Sequence, residues 1–166
     1  MMIETFQNLL TNDELNYIND LINNESKWKW RTTYNQKNDL GENLWFDSIF
    51  VDDTKLKEYY KIITSNGEYE LIETAINIIK LDRQIYNSKH KDSGDLSFVT
   101  YLNEDFEGGN LIYYDKNLEF VITPKIGLSV KIYKNTSHKV EPIISGVRYS
   151  LYTFLEKKQK INKSLI

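Results

Sequence analysis

The sequence predicts a mainly β domain, an antiparallel sandwich or barrel supported by helices at its N-terminal end. Three observations predict it. Six short apolar segments follow one another between turn signals: Leu96 to Leu102, Asn110 to Tyr114, Leu118 to Ile122, Leu128 to Tyr133, His138 to Val140 and Arg148 to Leu155. Helical periodicity is confined to the first half of the chain. The length of 166 residues, 40% hydrophobic, is enough for one buried core and too short for a second independent domain. We expect a single domain over 1–166, with helical and aromatic support over 1–75, a β core over 76–155 and a solvated lysine-rich tail over 156–166.

In chain order, Ile3 to Phe6 reads as a short strand. Thr11 stands at a helix N-cap position with Glu14 at the capping-box spacing, and Leu15, Ile18, Leu21 and Ile22 recur at helical intervals. Their apolar stripe is expected to cover the outside of a sheet. From Lys27 to Phe50 the chain is aromatic and polar, with Trp28, Trp30, Tyr34, Trp45 and Phe46 around the turn-forming Asn38-Asp39-Leu40-Gly41. These aromatics either line a strand pair and mobile loop at a pocket mouth or simply cap the core. Asp53 opens a second helical segment holding Leu56, Tyr59, Tyr60, Ile62 and Ile63, which closes near Asn66-Gly67. In the apolar run from Tyr69 to Leu81, the first half reads as the end of a helix and Ala75 to Leu81 as the first barrel strand.

The net charge of -3, with basic and acidic residues intermixed, argues against sequence-independent nucleic-acid binding. Cysteine is absent, which removes disulfides and thiolate metal sites and leaves His, Asp and Glu as the strong ligands. No apolar run reaches bilayer-spanning length, and the first residues lack the features of a signal peptide. The expectation is a cytoplasmic protein. Abundant Asn, Ile and Lys suggest an AT-rich coding bias, as in a phage, a virus or a low-GC bacterium.

The chain has two histidines, and both fall between positions 90 and 148. On a strand, His90 and Asp92 of His90-Lys91-Asp92 would point to the same face. Outside this pair the remaining histidine is His138. Two neutral imidazoles and a carboxylate on one face of an octahedron leave three positions open, which suits Fe(II) binding a co-substrate together with oxygen. Zinc accepts the same ligands. A lone histidine is more often a surface or hydrogen-bonded residue, and His-x-Asp alone recurs by chance. Arg148 adds to the signal. It follows the Ser145-Gly146 turn, and its guanidinium presents donors matched to a carboxylate, with the Ser150 hydroxyl on the same face and the Tyr101 phenol in phase with Ser97 and Val99. A surface ion pair is the commonest fate of an arginine. Pointing inward, Arg148 needs a bound counter-charge, because an unpaired buried cation is very costly.

The ordered set His90-x-Asp92, Tyr101-Leu102-Asn103, Phe106-Glu107-Gly108-Gly109, Pro124-Lys125-x-Gly127, His138-Lys139-Val140-x-Pro142 and Gly146-x-Arg148-Tyr149-Ser150 resembles the catalytic domain of the prolyl 4-hydroxylase-like 2-oxoglutarate/Fe(II) oxygenases. The resemblance implies a double-stranded β-helix, the jelly-roll or cupin-like core, with N-terminal helices packed on one sheet. It implies that His90, Asp92 and His138 ligate Fe(II) as the catalytic centre, that Arg148 holds the distal carboxylate of 2-oxoglutarate with Tyr101 and Ser150 assisting, and that O2 is the oxidant, with ascorbate as a reductant. Many relatives carry a Tyr or Arg-Tyr on the strand before the His-x-Asp pair. Here that segment reads Lys80-Leu81-Asp82-Arg83-Gln84-Ile85-Tyr86, so the donor to the metal-proximal carboxylate is unassigned, with Tyr86 as the candidate.

Asp92 favours hydroxylation, since halogenating relatives place a small residue there. Phe154 stands where the DNA-repair branch has a second arginine. The implied activity is hydroxylation of an unactivated C–H bond, with a peptidyl proline as first expectation and a free amino acid or small metabolite as the alternative. A non-catalytic jelly-roll binding module and a zinc or manganese cupin-like isomerase are the competing readings.

Overall fold

The capping box written into Thr11 and Glu14 forms and sets the position of the first helix. Thr11 Oγ1 accepts from the Glu14 amide at 3.2 Å, while the Thr11 amide donates to Glu14 Oε2 at 2.9 Å. Two amides that a first helical turn leaves without partners are thereby satisfied. The helix, α1 (Asn12–Ile22), follows strand β1 (Ile3–Gln7). The second carboxylate oxygen of Glu14 accepts the amide of Tyr59 at 3.0 Å, which ties α1 to the second helix, α2 (Lys57–Ile63). A 3₁₀ turn at Asp53–Lys55 precedes α2, where the sequence suggested one continuous helix from Asp53.

The structure is a computed structural model that describes residues 2–37, 43–81 and 89–159, with the backbone alone for 30–37 and 43–46. After β1 come β2 (Trp28–Lys37), β3 (Asn43–Phe50), β4 (Tyr69–Lys80), β5 (Leu96–Tyr101) and β6 (Glu107–Gly108). They are followed by β7 (Leu111–Asp115), β8 (Leu118–Ile122), β9 (Leu128–Tyr133), β10 (Ser137–Val140), β11 (Ile143–Ser145) and β12 (Val147–Lys157). A seven-stranded antiparallel sheet runs in the order β1-β9-β5-β12-β4-β3-β2. It faces a smaller sheet, β10-β7-β8, and a two-stranded ribbon, β11-β6. These are the walls of a mainly β jelly roll, as expected.

Alternation along the large sheet separates its two faces. Ile76, Ile78, Phe98, Leu151 and Leu155 pack with Ile18, Leu21, Leu56, Tyr59 and Ile63, so the helices cover one face. Tyr101, Leu111, Leu128, Val130 and Ile132 form a second cluster between the sheets. Burial of this many apolar side chains is the main driving force for closing the barrel. On the helical face a buried run of hydroxyls crosses the strands: Tyr59 Oη lies 3.0 Å from Thr100 Oγ1, which lies 2.6 Å from Ser129 Oγ. Each of these polar groups therefore has the partner that burial demands.

The differences from the expected elements have a common cause. Tyr69 to Thr74 is strand and not the end of a helix, because Leu71 to Tyr69 pair with Leu155 to Lys157 beyond a bulge at Ile72 in β4. The same pairing carries β12 through Glu156 and Lys157, into the segment expected to be tail. The short β6 and β11 pair with each other and carry no pattern of their own. In the aromatic segment, Trp28 packs on the helical core with its ring 6.2 Å from that of Tyr149, which is the core-capping role. The turn at 38–41 lies outside the described residues.

Candidate active site

The site begins with a strand pairing between residues far apart in sequence. The His90 amide donates to the His138 carbonyl and the His138 amide to the His90 carbonyl, both at 2.9 Å. This antiparallel bridge sets the rings side by side, with centroids 4.4 Å apart. Asp92 follows two residues after His90 in backbone outside the strands, just ahead of a bend at 93–95. Its Oδ1 stands 3.6 Å from His90 Nε2 and 3.5 Å from His138 Nε2. One ligand atom from each of the three residues lies within 4.8 Å of the others, so the set could hold a metal ion.

The surrounding bonds favour the metal-binding forms of His138 and Asp92. His138 is buried, and its Nδ1 is 3.0 Å from the Thr136 carbonyl; an N–H donated there leaves the Nε2 lone pair facing Asp92. Asp92 Oδ2 accepts from Ser97 Oγ at 2.5 Å, leaving Oδ1 toward the imidazoles. Burial opposes ionisation of Asp92, but interactions with His138, His90 and Ser97 outweigh it and hold the carboxyl well below the usual carboxylate range.

Arg148 lies deeper in the same interior. Period-two alternation puts Arg148, Ser150, Tyr152 and Phe154 on one face of β12, and the register places Ser150 opposite Tyr101 and Phe154 opposite Ser97, the residue that holds Asp92. Arg148 is 4% exposed, donates from Nη1 to the Gly109 carbonyl at 3.0 Å and leaves Nε without a partner. Among the described residues no carboxylate forms an ion pair with it. Burial lowers the Arg148 pKa from its ordinary value, and burial raises that of the neighbouring Tyr101 phenol, with the guanidinium charge opposing the rise. A buried guanidinium with an unsatisfied N–H is a site for an anion. Ser150, 2% exposed, and Tyr101, 1% exposed, lie beside it.

The structure therefore brings together His90, Asp92 and His138, and separately Arg148, Tyr101 and Ser150, inside one barrel. Tyr86 lies outside the described residues. Two contributors were missed from sequence. Ser97 was noted only for its phase with Tyr101, and its bond to Asp92 spans the bend at 93–95. Asn77 sits opposite Ser150 on the inner face with Oδ1 buried and unpartnered. A polar residue within the apolar run of β4 was the one available signal for it. No helix among the described residues is long and apolar enough to cross a membrane.

Comparison with known proteins agrees with this geometry. Residues 78–156 match the family model described as the 2OG-Fe(II) oxygenase superfamily. A 2OG-Fe(II) oxygenase-family oxidoreductase from Burkholderia pseudomallei shares the fold at 17% identity and a TM-score of 0.65, covering 97% of this chain and 88% of its own. A Pseudomonas putida prolyl-4-hydroxylase is similar at 16% identity and a TM-score of 0.62, covering 95% and 93%. A Trichoplax adhaerens prolyl hydroxylase, solved with a hypoxia inducible factor peptide fragment, superimposes at 15% identity and a TM-score of 0.64, covering 93% and 83%. No curated relative matches the chain at the sequence level. Residues 78–156, just under half of the chain, therefore carry the sequence pattern of the 2OG-Fe(II) oxygenase superfamily, whose members are oxidoreductases that use Fe(II), 2-oxoglutarate and O2.

Proposed function

We propose that this protein hydroxylates an unactivated C–H bond, with a peptidyl prolyl residue as the first candidate substrate, through a metal held by His90, Asp92 and His138. One observation carries the reading. A compact His-Asp-His set and a buried arginine without a carboxylate partner among the described residues share one barrel interior. The first fits a divalent metal and the second fits the far carboxylate of a dicarboxylic co-substrate.

Held there, Fe(II) with 2-oxoglutarate and O2 would supply the oxidising power, with one oxygen atom of O2 going to the substrate carbon, the other to succinate, and carbon dioxide released. The chain's own contribution is placement and exclusion of water. Thr136 orients the His138 ring, Ser97 orients the Asp92 carboxylate, and Arg148, with Tyr101 and Ser150, grips the co-substrate. The cluster of Leu111, Leu128, Val130 and Ile132 gives the interior between the sheets an apolar lining. No side-chain general base is required, and both histidines of the chain are used as ligands. The similar prolyl hydroxylases support a peptide substrate; a free amino acid or other small metabolite is the second reading.

The test is a succinate-release assay with Fe(II), ascorbate and 2-oxoglutarate, run with proline-containing peptides and with free amino acids. A prolyl peptide that gains one oxygen atom in step with succinate supports the full reading, whereas oxidation of a free amino acid alone replaces the substrate assignment. If the wild type shows no metal-dependent 2-oxoglutarate binding, the co-substrate assignment is wrong. If binding survives unchanged in His138→Ala, the metal assignment is wrong.

A further inference from the structure

Among the described residues, three buried side-chain polar atoms lack a hydrogen-bond partner: Trp28 Nε1, Asn77 Oδ1 and Arg148 Nε. Two of them belong to one small region of the barrel interior. Arg148 is registered opposite Ile79 and Ser150 opposite Asn77, so Arg148 and Asn77 are diagonal neighbours on the inner face of the β4–β12 pair. Diagonal neighbours on a sheet come within reach of one another when one side chain is long, as arginine is. Across four adjacent strands, Ser48, Asn77, Ser150 and Tyr101 form a single polar level directly beside Arg148. Ser48 is 2% exposed, so this level is enclosed on the β3 side as well.

An apolar residue would fill the Asn77 position more cheaply unless the carboxamide is used, because buried polar groups in native proteins are nearly always satisfied. The nearest unsatisfied group is a cation, so the ligand that completes Arg148 is an anion. An anionic oxygen needs a donor from Asn77, not the carbonyl oxygen. A half-turn about the Cβ–Cγ bond exchanges the two amide atoms with almost no change of shape, placing an N–H where Oδ1 stands.

We propose that Asn77 is a co-substrate-binding residue, its carboxamide donating a hydrogen bond to the same carboxylate of 2-oxoglutarate that Arg148 holds. This inference rests on the co-substrate reading above. It gives β4 a contact with the distal carboxylate, a role separate from that of the metal-proximal donor for which Tyr86 is the candidate. One carboxylate would then accept from Arg148 Nε and from the turned Asn77 Nδ2, with Ser150 and Tyr101 on its other side.

The test is calorimetric titration of Mn(II)-loaded wild type, Asn77→Ser and Asn77→Asp with 2-oxoglutarate, and with 2-oxobutyrate, which lacks the distal carboxylate. Loss of a charge-assisted hydrogen bond predicts about tenfold weaker 2-oxoglutarate binding in Asn77→Ser, and repulsion predicts a still larger loss in Asn77→Asp. Binding of 2-oxobutyrate should be the same in all three proteins. The thermal midpoint of ligand-free Asn77→Asp should not fall, because the new carboxylate supplies Arg148 with a counter-charge, whereas a merely structural asparagine would give a drop. Unchanged 2-oxoglutarate affinity in Asn77→Ser, or an equal loss for both oxo acids, overturns the proposal. If Asn77→Asp does not fold, Asn77→Ser decides alone. A wild type that fails to bind 2-oxoglutarate sinks the co-substrate reading and this proposal with it, whereas normal wild-type binding with unaffected variants sinks this proposal only.

Discussion

Arg148 Nη1 donates to the Gly109 carbonyl at 3.0 Å, and the Arg148 Cδ lies 3.4 Å from the point that a Cβ on Gly109 would occupy. Among the described residues, the one hydrogen bond that this guanidinium donates therefore goes to the carbonyl of a residue with no room for a side chain. Gly109 has φ +70, and its Cβ would stand 2.6 Å from Ile143 Cδ1. Gly109→Ala should destabilise the fold by about 2–3 kcal/mol through left-handed strain and overpacking. It should also weaken 2-oxoglutarate binding by displacing Arg148. Denaturant unfolding and ligand titration of the variant check this; wild-type values in both would mean that the close approach does not hold the arginine in place.

Arg148→Met separates function from stability. An unpaired buried cation is replaced by an apolar chain of similar length, which is commonly neutral or stabilising. We expect the ligand-free variant to unfold at a temperature no lower than the wild type, while 2-oxoglutarate with Mn(II) no longer raises that temperature. A variant that is markedly less stable yet still stabilised by 2-oxoglutarate would contradict the assigned role.

Ser97→Ala removes the hydroxyl that donates to Asp92 Oδ2 and leaves all three proposed metal ligands in place. Loss of such an outer contact costs roughly 10- to 100-fold in metal affinity. The expected result is weaker Mn(II) or Fe(II) binding with near-normal thermal stability of the metal-free protein. Equal metal affinity in the two proteins would show that Asp92 is oriented without this bond.

Tyr59 provides a pH prediction away from the site. Burial pushes its phenol up to about 12, opposed by hydrogen bonds from Thr100 and Thr153. The unfolded phenol titrates near 10, so the folded state favours the protonated form. That stability is fully present below pH 10 and is lost as pH rises through 12, by on the order of 1 kcal/mol at pH 11. Tyr59→Phe should lower stability at pH 8 by about 1 kcal/mol for the lost hydrogen bond and then decline less between pH 8 and pH 11. Parallel declines of the two proteins in urea unfolding would show that Tyr59 is not the group that titrates.

Much of the fold was legible because its signals are local. The Thr11–Glu14 box, the helical stripe ending at Leu21 and Ile22, and the strands 118–122 and 128–133 stand where short-range patterns put them. The chemical identities of the site were legible too, since a chain with two histidines and no cysteine has few ways to build a metal centre. What failed locally was decided by distant partners. Tyr69 to Thr74 has an ambiguous apolar pattern and becomes strand because β12 pairs with it, and β6 exists only against β11.

By itself the sequence determined which residues could do the chemistry and in what order they occur: His90, Asp92, His138, then Arg148. Only the tertiary structure decided that a bridge joins His90 to His138, that Asp92 stands within reach of both imidazoles and of Ser97, and that Arg148 is sealed beside Asn77. The physical reason is that side-chain type and periodicity are short-range properties of a chain. Convergence of groups tens of residues apart is set by antiparallel pairing across the closed barrel and by the apolar burial that closes it.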